Sequence, residues 1–175
     1  MNKRYLAGVI VAAVVVVAAG GAVFISRDHF PNQPTGFEGI AFGDPIQDHV
    51  RRLGLEEKEY SGPEAALGVS LYEPDKEKIS PDHRGEHIEM YAFEGKFFGA
   101  YVYFHDCGDM VSAYHNKYGK PKDQASKGNS YSYYWNGGDV EINLGQVDSS
   151  CLLNIGYIKY KKIIKEKMDR IKSNY

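Results

Sequence analysis

Residues 91–98 read YAFEGKFF, and residues 133–140 read YYWNGGDV. Both place glycine between aromatic, alternating arms, and reading them together decides the fold. Glycine reaches left-handed backbone angles without steric cost, which suits it to a tight turn between strands. Before the first turn Ile88, Met90 and Ala92 alternate onto one face, and after it Phe98, Ala100, Val102 and Phe104 do the same. Joining these two sets requires a three-residue turn at 94–96 or a bulge. In the second stretch Asn136-Gly137 is a strong hairpin signal. A two-residue loop there pairs Tyr133 with Val140 and Tyr131 with Ile142. A third strand follows at 151–158, CLLNIGYI, with Leu153, Ile155 and Tyr157 on one side. VSLYEP at 69–74 is its counterpart in the first half.

Each hairpin is preceded by helix punctuation. In FGDPIQDHVRRLG (42–54), Asp44 is placed to cap and Pro45 suits the first helical position. Ile46, Val50 and Leu53 share a face, and Gly54 is the stop. In CGDMVSAYHNKYGKP (107–121), Asp109 caps, Val111, Tyr114 and Tyr118 make a stripe, and Gly119 and Pro121 end the helix. The last segment, KYKKIIKEKMDRIK (159–172), carries Tyr160, Ile163, Ile164, Met168 and Ile171 on one helical face. The expected fold is therefore α+β: a duplicated unit of one helix plus three antiparallel strands, closed by a C-terminal helix.

Ahead of this domain, residues 6–25 are uncharged and apolar. Twenty such residues span about 30 Å as a helix, the thickness of a bilayer's hydrocarbon core. Lys3 and Arg4 favour a cytoplasmic N-terminus, which puts the rest on the far side of the cell (inner) membrane, in the periplasm or its equivalent. A cleaved signal peptide, cut near Ala18, Ala19 and Gly20, is the rival reading, and it exports the domain equally. The expected layout is an anchor at 1–26, a Pro-containing linker at 27–36 and an exported domain at 37–175. In such a compartment Cys107 and Cys151 are a candidate disulfide, the alternative being two buried thiols.

Charge is unevenly distributed. Residues 28–100 hold 15 acids and 7 bases, whereas residues 159–175 hold 2 acids and 7 bases, a net of +5. No segment is basic over a groove-sized area, which excludes a nucleic-acid reader.

Two constellations could carry chemistry. His83, Glu86 and His87 satisfy H-x-x-E-H, a zinc-peptidase pattern that needs a helix to bring the two histidines onto one metal. Here Pro81, Gly85 and the strand-like HIEMYAF argue for a loop entering a strand. His105 and Cys107 are a thiol–imidazole pair, but a disulfide would consume the thiol. Neither supplies a catalytic or metal assignment, and no cofactor motif is present. Fourteen tyrosines form a surplus. Tyr91, Tyr101 and Tyr103 fall on the sheet face away from the helices, a candidate protein-binding surface. Lys161, Lys162, Lys165 and Lys172 lie off the apolar stripe of the last helix, where they would face water or an anionic lipid surface.

GDPIQDHVRRLG and HNKYGKP…YYWNGGDVEINL resemble the glycine-ended helix and the G-K-P-then-W hairpin of small envelope proteins, the outer-membrane-assembly lipoprotein (SmpA/OmlA-like) and β-lactamase-inhibitor-protein-like group. The start at Phe37, Gly39, Ile40 and Gly43 is similar to exported bacterial proteins. The resemblance implies helices followed by an antiparallel sheet, and a non-catalytic module that binds envelope protein partners through that sheet. The functional expectation is thus a membrane-tethered extracytoplasmic binding module. The alternatives are a metal- or thiol-dependent hydrolase using His83, Glu86 and His87 or His105 and Cys107, and a lipid- or cell-wall-fragment-binding protein with an apolar pocket between sheet and helix.

Overall fold

The computed structural model describes residues 29–173. A small hairpin of β1 (Gly36–Phe37) and β2 (Ile40–Ala41) leads to a 3-10 turn at Ile46–His49 and a single α-helical turn, α1 (Val50–Leu53). Then follow β3 (Glu56–Lys58), β4 (Val69–Glu73), β5 (His87–Phe93), β6 (Lys96–Phe104), α2 (Met110–Tyr118), β7 (Asp123–Lys127), β8 (Ser130–Gly137), β9 (Val140–Val147), β10 (Ser150–Tyr157) and α3 (Ile158–Ser173).

Strands β3–β10 form one antiparallel sheet in the order β3-β4-β5-β6-β10-β9-β8-β7. It consists of two four-stranded meanders joined through their last strands: β6 and β10 pair from Gly99↔Gly156 to Phe104↔Cys151. This corrects the expected α+β fold of duplicated helix-plus-three-strand units. The molecule is dominated by a continuous eight-stranded sheet, with three short helices against it. The two strands that periodicity misses are the sheet's edges. β3 (EEK) and β7 (DQASK) bury almost nothing, so no apolar alternation marks them.

Two local readings also shift. Glu94 and Gly95, at φ +50° and +75°, make a two-residue turn that pairs Phe93 with Lys96. The register then slips: Ala92 pairs with Phe97 but Tyr91 pairs with Gly99, so Phe98 is the extra residue of a bulge. Phe98 thereby leaves the face of Ala100, Val102 and Phe104 and is buried on the opposite one. In the second hairpin the turn is Gly138-Asp139, not Asn136-Gly137. Trp135 pairs with Ile142 and Tyr133 with Leu144. The turn moves by two residues, so the apolar faces still meet, as a period of two requires.

The larger core lies on one face of the sheet. Ile88, Met90, Ala100, Val102, Ile142, Leu144, Leu153 and Ile155 point into it, beneath Ile40, Ile46, Leu53, Tyr114 and Tyr118. Each large apolar side chain so buried contributes about 1.5–3 kcal/mol. Trp135 is enclosed there and donates from Nε1 to the Gly119 carbonyl at 2.8 Å, where α2 ends. Asp44 does not cap the first helical segment. Its carboxylate accepts from the Ala41 amide at 3.2 Å, holding β2 to the following turn. Asp109 likewise makes no side-chain cap on α2.

Residues 30–35, read above as linker, lie against this core: Phe30 meets Tyr118 edge-on at 5.7 Å, and Asn32 donates to the Lys117 carbonyl at 2.7 Å. The proposed membrane span at 6–25 lies outside the described residues. Among the described residues no helix is long and apolar enough to cross a membrane.

The opposite face carries a smaller core of Val69, Phe93, Phe98 and Ile164, with α3 lying across it. Of the α3 stripe only Ile164 is buried, and Ile171 is 44% exposed.

Candidate functional site

The face under and beside α3 carries the tyrosines. Tyr91 stands on β5, and Tyr101 and Tyr103 on β6, all half-buried and turned away from the larger core. Two cross-strand rows lie along this face, the second bordering α3, whose Lys161 bonds Asn154 and beside which Tyr101 and Asn154 line a cleft. One runs His87, Tyr103, Leu152, Gly145, Ser132 through β5, β6, β10, β9 and β8; the next runs Glu89, Tyr101, Asn154, Asn143, Tyr134. Leu152, 46% exposed, sits beside Tyr103 in the first row. Val147, on the same face of β9, is 55% exposed.

Tyr103 donates to the Ser150 hydroxyl at 3.3 Å, and hydroxyl–carboxylate pairs fix three other tyrosines. Tyr91 donates to Glu89 at 2.5 Å, Tyr134 to Glu141 at 2.8 Å and Tyr60 to Glu64 at 3.0 Å. Burial and the adjoining carboxylates push the Tyr60 and Tyr134 phenols up to about 12 and that of Tyr91 higher still. Burial, Glu141 and Glu89 raise Tyr101 in the same direction. The tyrosines whose phenols are raised therefore stay neutral near pH 7 and act as donors and contact area, not as phenolate bases.

Along the border of the rows, Lys161 of α3 reaches back over the sheet, donating to Glu141 at 2.5 Å and to Asn154 at 3.2 Å. Farther along, Lys167 donates to Glu94 at 2.8 Å and covers the ring of Phe93. Between these tethers and the sheet lies a cleft of about 480 Å³. Val69, Phe98, Ile164 and Met168 supply its apolar lining, Tyr91 and Tyr101 stand in it as well, and Lys165 and Lys172 are balanced there by Glu64 and Asp169. This volume is within the range of small-ligand or side-chain sites.

The structure does not bring the hydrolase candidates together. The segment 83–87 is not helical: a 3-10 turn covers Pro81–His83, and β5 begins at His87. His83 Nδ1 faces Glu38 Oε1 at 2.5 Å, whereas His87 pairs with Glu89 at 3.0 Å. Gly85 lets the loop press on β6, with the Glu86 amide donating to the Tyr103 carbonyl at 2.8 Å. Among the described residues no three histidines, cysteines or carboxylates are grouped to hold a metal. Cys107 and Cys151 form a disulfide with Cα atoms 5.4 Å apart, so the thiol beside His105 is consumed.

One polar cluster escapes sequence reading. Glu38, with a side chain only 8% exposed, accepts from the Ser80 hydroxyl at 2.6 Å, from the Ser80 amide at 3.0 Å, and meets His83. The residues resemble a serine–histidine–acid set, but the hydroxyl points to the carboxylate. Ser80 and Glu38 both lie at Nδ1 of His83, so no imidazole stands between nucleophile and acid. The cluster fastens the β1–β2 turn to the 79–83 loop. Its partners lie 42 and 45 residues apart, and no local spacing betrays it.

Comparison with known proteins is uninformative: no family model matches the chain, and neither the curated proteins nor the solved structures contain a match.

Proposed function

We propose that this chain is a non-catalytic binding module, tethered to the membrane by residues 6–25, which engages a protein partner in the cell envelope through the open row of its sheet that carries Tyr103 and Leu152. The observation that carries this reading is the row His87, Tyr103, Leu152, Gly145, Ser132 across five strands, in which Leu152 is 46% exposed beside Tyr103. Tyrosines contribute large contact area at low entropic cost, and Tyr103, half-buried and bonded to the Ser150 hydroxyl at 3.3 Å, loses little further freedom on binding. Strand spacing holds neighbours within a row about 4.8 Å apart, a rigid platform suited to complementary packing.

The test places a photo-crosslinking phenylalanine at Tyr103 and, separately, at Arg51 on the exposed side of α1, in the full chain expressed in its own cells. The expected result is one discrete adduct from position 103, absent from position 51 and lost when Tyr101 is replaced by alanine. Equal adducts from both positions, or none from position 103, would overturn the proposal.

A further inference from the structure

The row carrying Tyr103 and Leu152 reaches Ser132 on β8, and one more strand takes it to the end of the sheet, where Ala125 of β7 stands opposite Ser132. β7 has β8 on one side and no strand on the other, and all five of its residues are exposed. We propose that this edge pairs with the same edge of a second copy of the chain, antiparallel and centred on Ala125, so that two sheets become one across a two-fold axis.

The backbone fixes what the edge offers. Along an antiparallel strand, residues alternate between exchanging both hydrogen bonds with one neighbour and presenting them to the other side. Lys127 and Ser130 flank the two-residue turn Gly128-Asn129 and close the hairpin, so Lys127, Ala125 and Asp123 turn their amides and carbonyls toward β8. Gln124 and Ser126 therefore present theirs to the open edge. Both ends of β7 are held in place. Asn129 donates to the Asp148 carboxylate at 3.1 Å, and the Lys122 amide donates to the Tyr134 carbonyl at 2.8 Å. An edge of this kind is a template for a further strand.

The residues of β7, DQASK, select the occupant. Reversed and laid against itself about Ala125, the strand puts Gln124 opposite Ser126, where the outward amides and carbonyls bond across the seam. Asp123 then falls opposite Lys127 of the second copy, and symmetry repeats the contact. Moving the centre to Gln124 or Ser126 loses both Asp–Lys contacts. Among the described residues neither Asp123 nor Lys127 makes an ion pair within its own chain. A lysine on an edge ordinarily deters another strand, but here the incoming strand brings an aspartate to it. Tyr131, 42% exposed and opposite Ser126, adds apolar area beside the seam on the other face.

The other edge of the sheet lacks this match. β3 has three residues, sets Glu57 against Glu57 when laid on itself, and already pairs its Lys58 with Glu56 and Glu73. Pairing through β7 alone uses each edge once and closes at a dimer. A one-strand seam buries little beside the roughly 1,200–2,000 Å² of stable interfaces, so the dimer is weak and forms where chains are concentrated. It joins the two rows at Ala125 into one platform, which a partner with a repeated epitope engages twice. The pairing itself stands apart from the binding reading.

The test is mild oxidation of the full chain in detergent carrying Ala125→Cys. Directly opposed residues outside the bonded pairs have Cα atoms about 4.5 Å apart, within disulfide reach. A covalent dimer is expected from Ala125→Cys and not from Lys162→Cys, exposed on α3. Adding Asp123→Lys, which sets lysine against Lys127, is expected to cut the Ala125→Cys dimer at least about fivefold. Asp123→Lys/Lys127→Asp, which reverses both charges, is expected to restore it. Sedimentation velocity of the charge variants without the added cysteine is expected to rank them in the same order. Circular dichroism and an intact Cys107–Cys151 bond verify that each variant is folded. Equal crosslinking at positions 125 and 162 would mean association through another part of the chain and overturn the seam. So would no crosslink at 125, or a yield that Asp123→Lys leaves unchanged or that the double reversal fails to restore.

Discussion

Glu38 Oε1 lies 2.5 Å from His83 Nδ1, and Ser80 donates to the same carboxylate oxygen at 2.6 Å. These bonds tie the β1–β2 turn to the loop that enters β5. Burial opposes the charge on Glu38, but the hydroxyl and amide of Ser80 and the adjacent His83 outweigh it, leaving its pKa below the ordinary 4.5. The folded state therefore holds the carboxylate ionised where the unfolded chain begins to bind a proton. Stability from this cluster is present above about pH 4.5 and is lost as pH falls below it. Glu38→Gln is expected to be less stable than wild type at pH 7, and the gap is expected to narrow as pH drops. Thermal melts of both proteins from neutral to acid pH measure this, and parallel curves would show that Glu38 carries no linkage.

The Cys107–Cys151 disulfide spans 44 residues and joins the loop before α2 to the start of strand β10. Constraining the unfolded chain over such a loop is worth about 4 kcal/mol. Cys107→Ser/Cys151→Ser is expected to lower the urea unfolding free energy by an amount of that order. A loss under about 1 kcal/mol would mean that the β6–β10 ladder alone fixes this corner.

Gly85 within HRGEH separates the structural reading from the metallic one. A Cβ at this position would lie 2.3 Å from the Tyr103 carbonyl oxygen and 2.5 Å from Val102 Cγ1. Gly85→Ala is expected to destabilise by about 1–3 kcal/mol through displacement of the loop from β6. His87→Ala, which removes a partner from one exposed pair with Glu89, is expected to cost less than about 1 kcal/mol. Denaturant titration compares them. A zinc-dependent rise in the melting temperature of wild type, absent from His87→Ala, would instead restore the metal reading.

The phenols of Tyr60 and Tyr134 are held up to about 12 by burial and by Glu64 and Glu141. Because the folded pKa is above the ordinary value near 10, this contribution is complete below pH 10 and declines as pH rises toward 12. Ultraviolet titration of tyrosinate is expected to show a late component that shrinks in Tyr60→Phe and again in Tyr60→Phe/Tyr134→Phe. A single transition near 10 in wild type would contradict the hydroxyl–carboxylate pairing.

The sequence by itself determined what is local and periodic. Alternation at 88–92 and 140–144 marked strands, Gly54 and Gly119 marked helix ends, and the two cysteines marked their bridge. It also put Tyr91, Tyr101 and Tyr103 together on one face, because side chains alternate along a strand, but expected that face to lie away from the helices, whereas α3 packs across it beside Tyr91 and Tyr101. Tertiary structure alone decided the rest. The pairing of β6 with β10, which fuses the meanders into one sheet, is a contact between strands about fifty residues apart with equally apolar faces, and alternation cannot choose among such partners. β3 and β7 stayed invisible because an exposed edge strand buries neither face. Phe98 crossed the sheet through a bulge whose position depends on how β5 and β6 pair, not on the residues alone. The cleft exists because α3 packs through Ile164 and then outruns the sheet core, so that lysines and apolar groups from distant segments meet at one mouth. Periodicity reports which side of an element is buried; only the packed chain reports what lies opposite it.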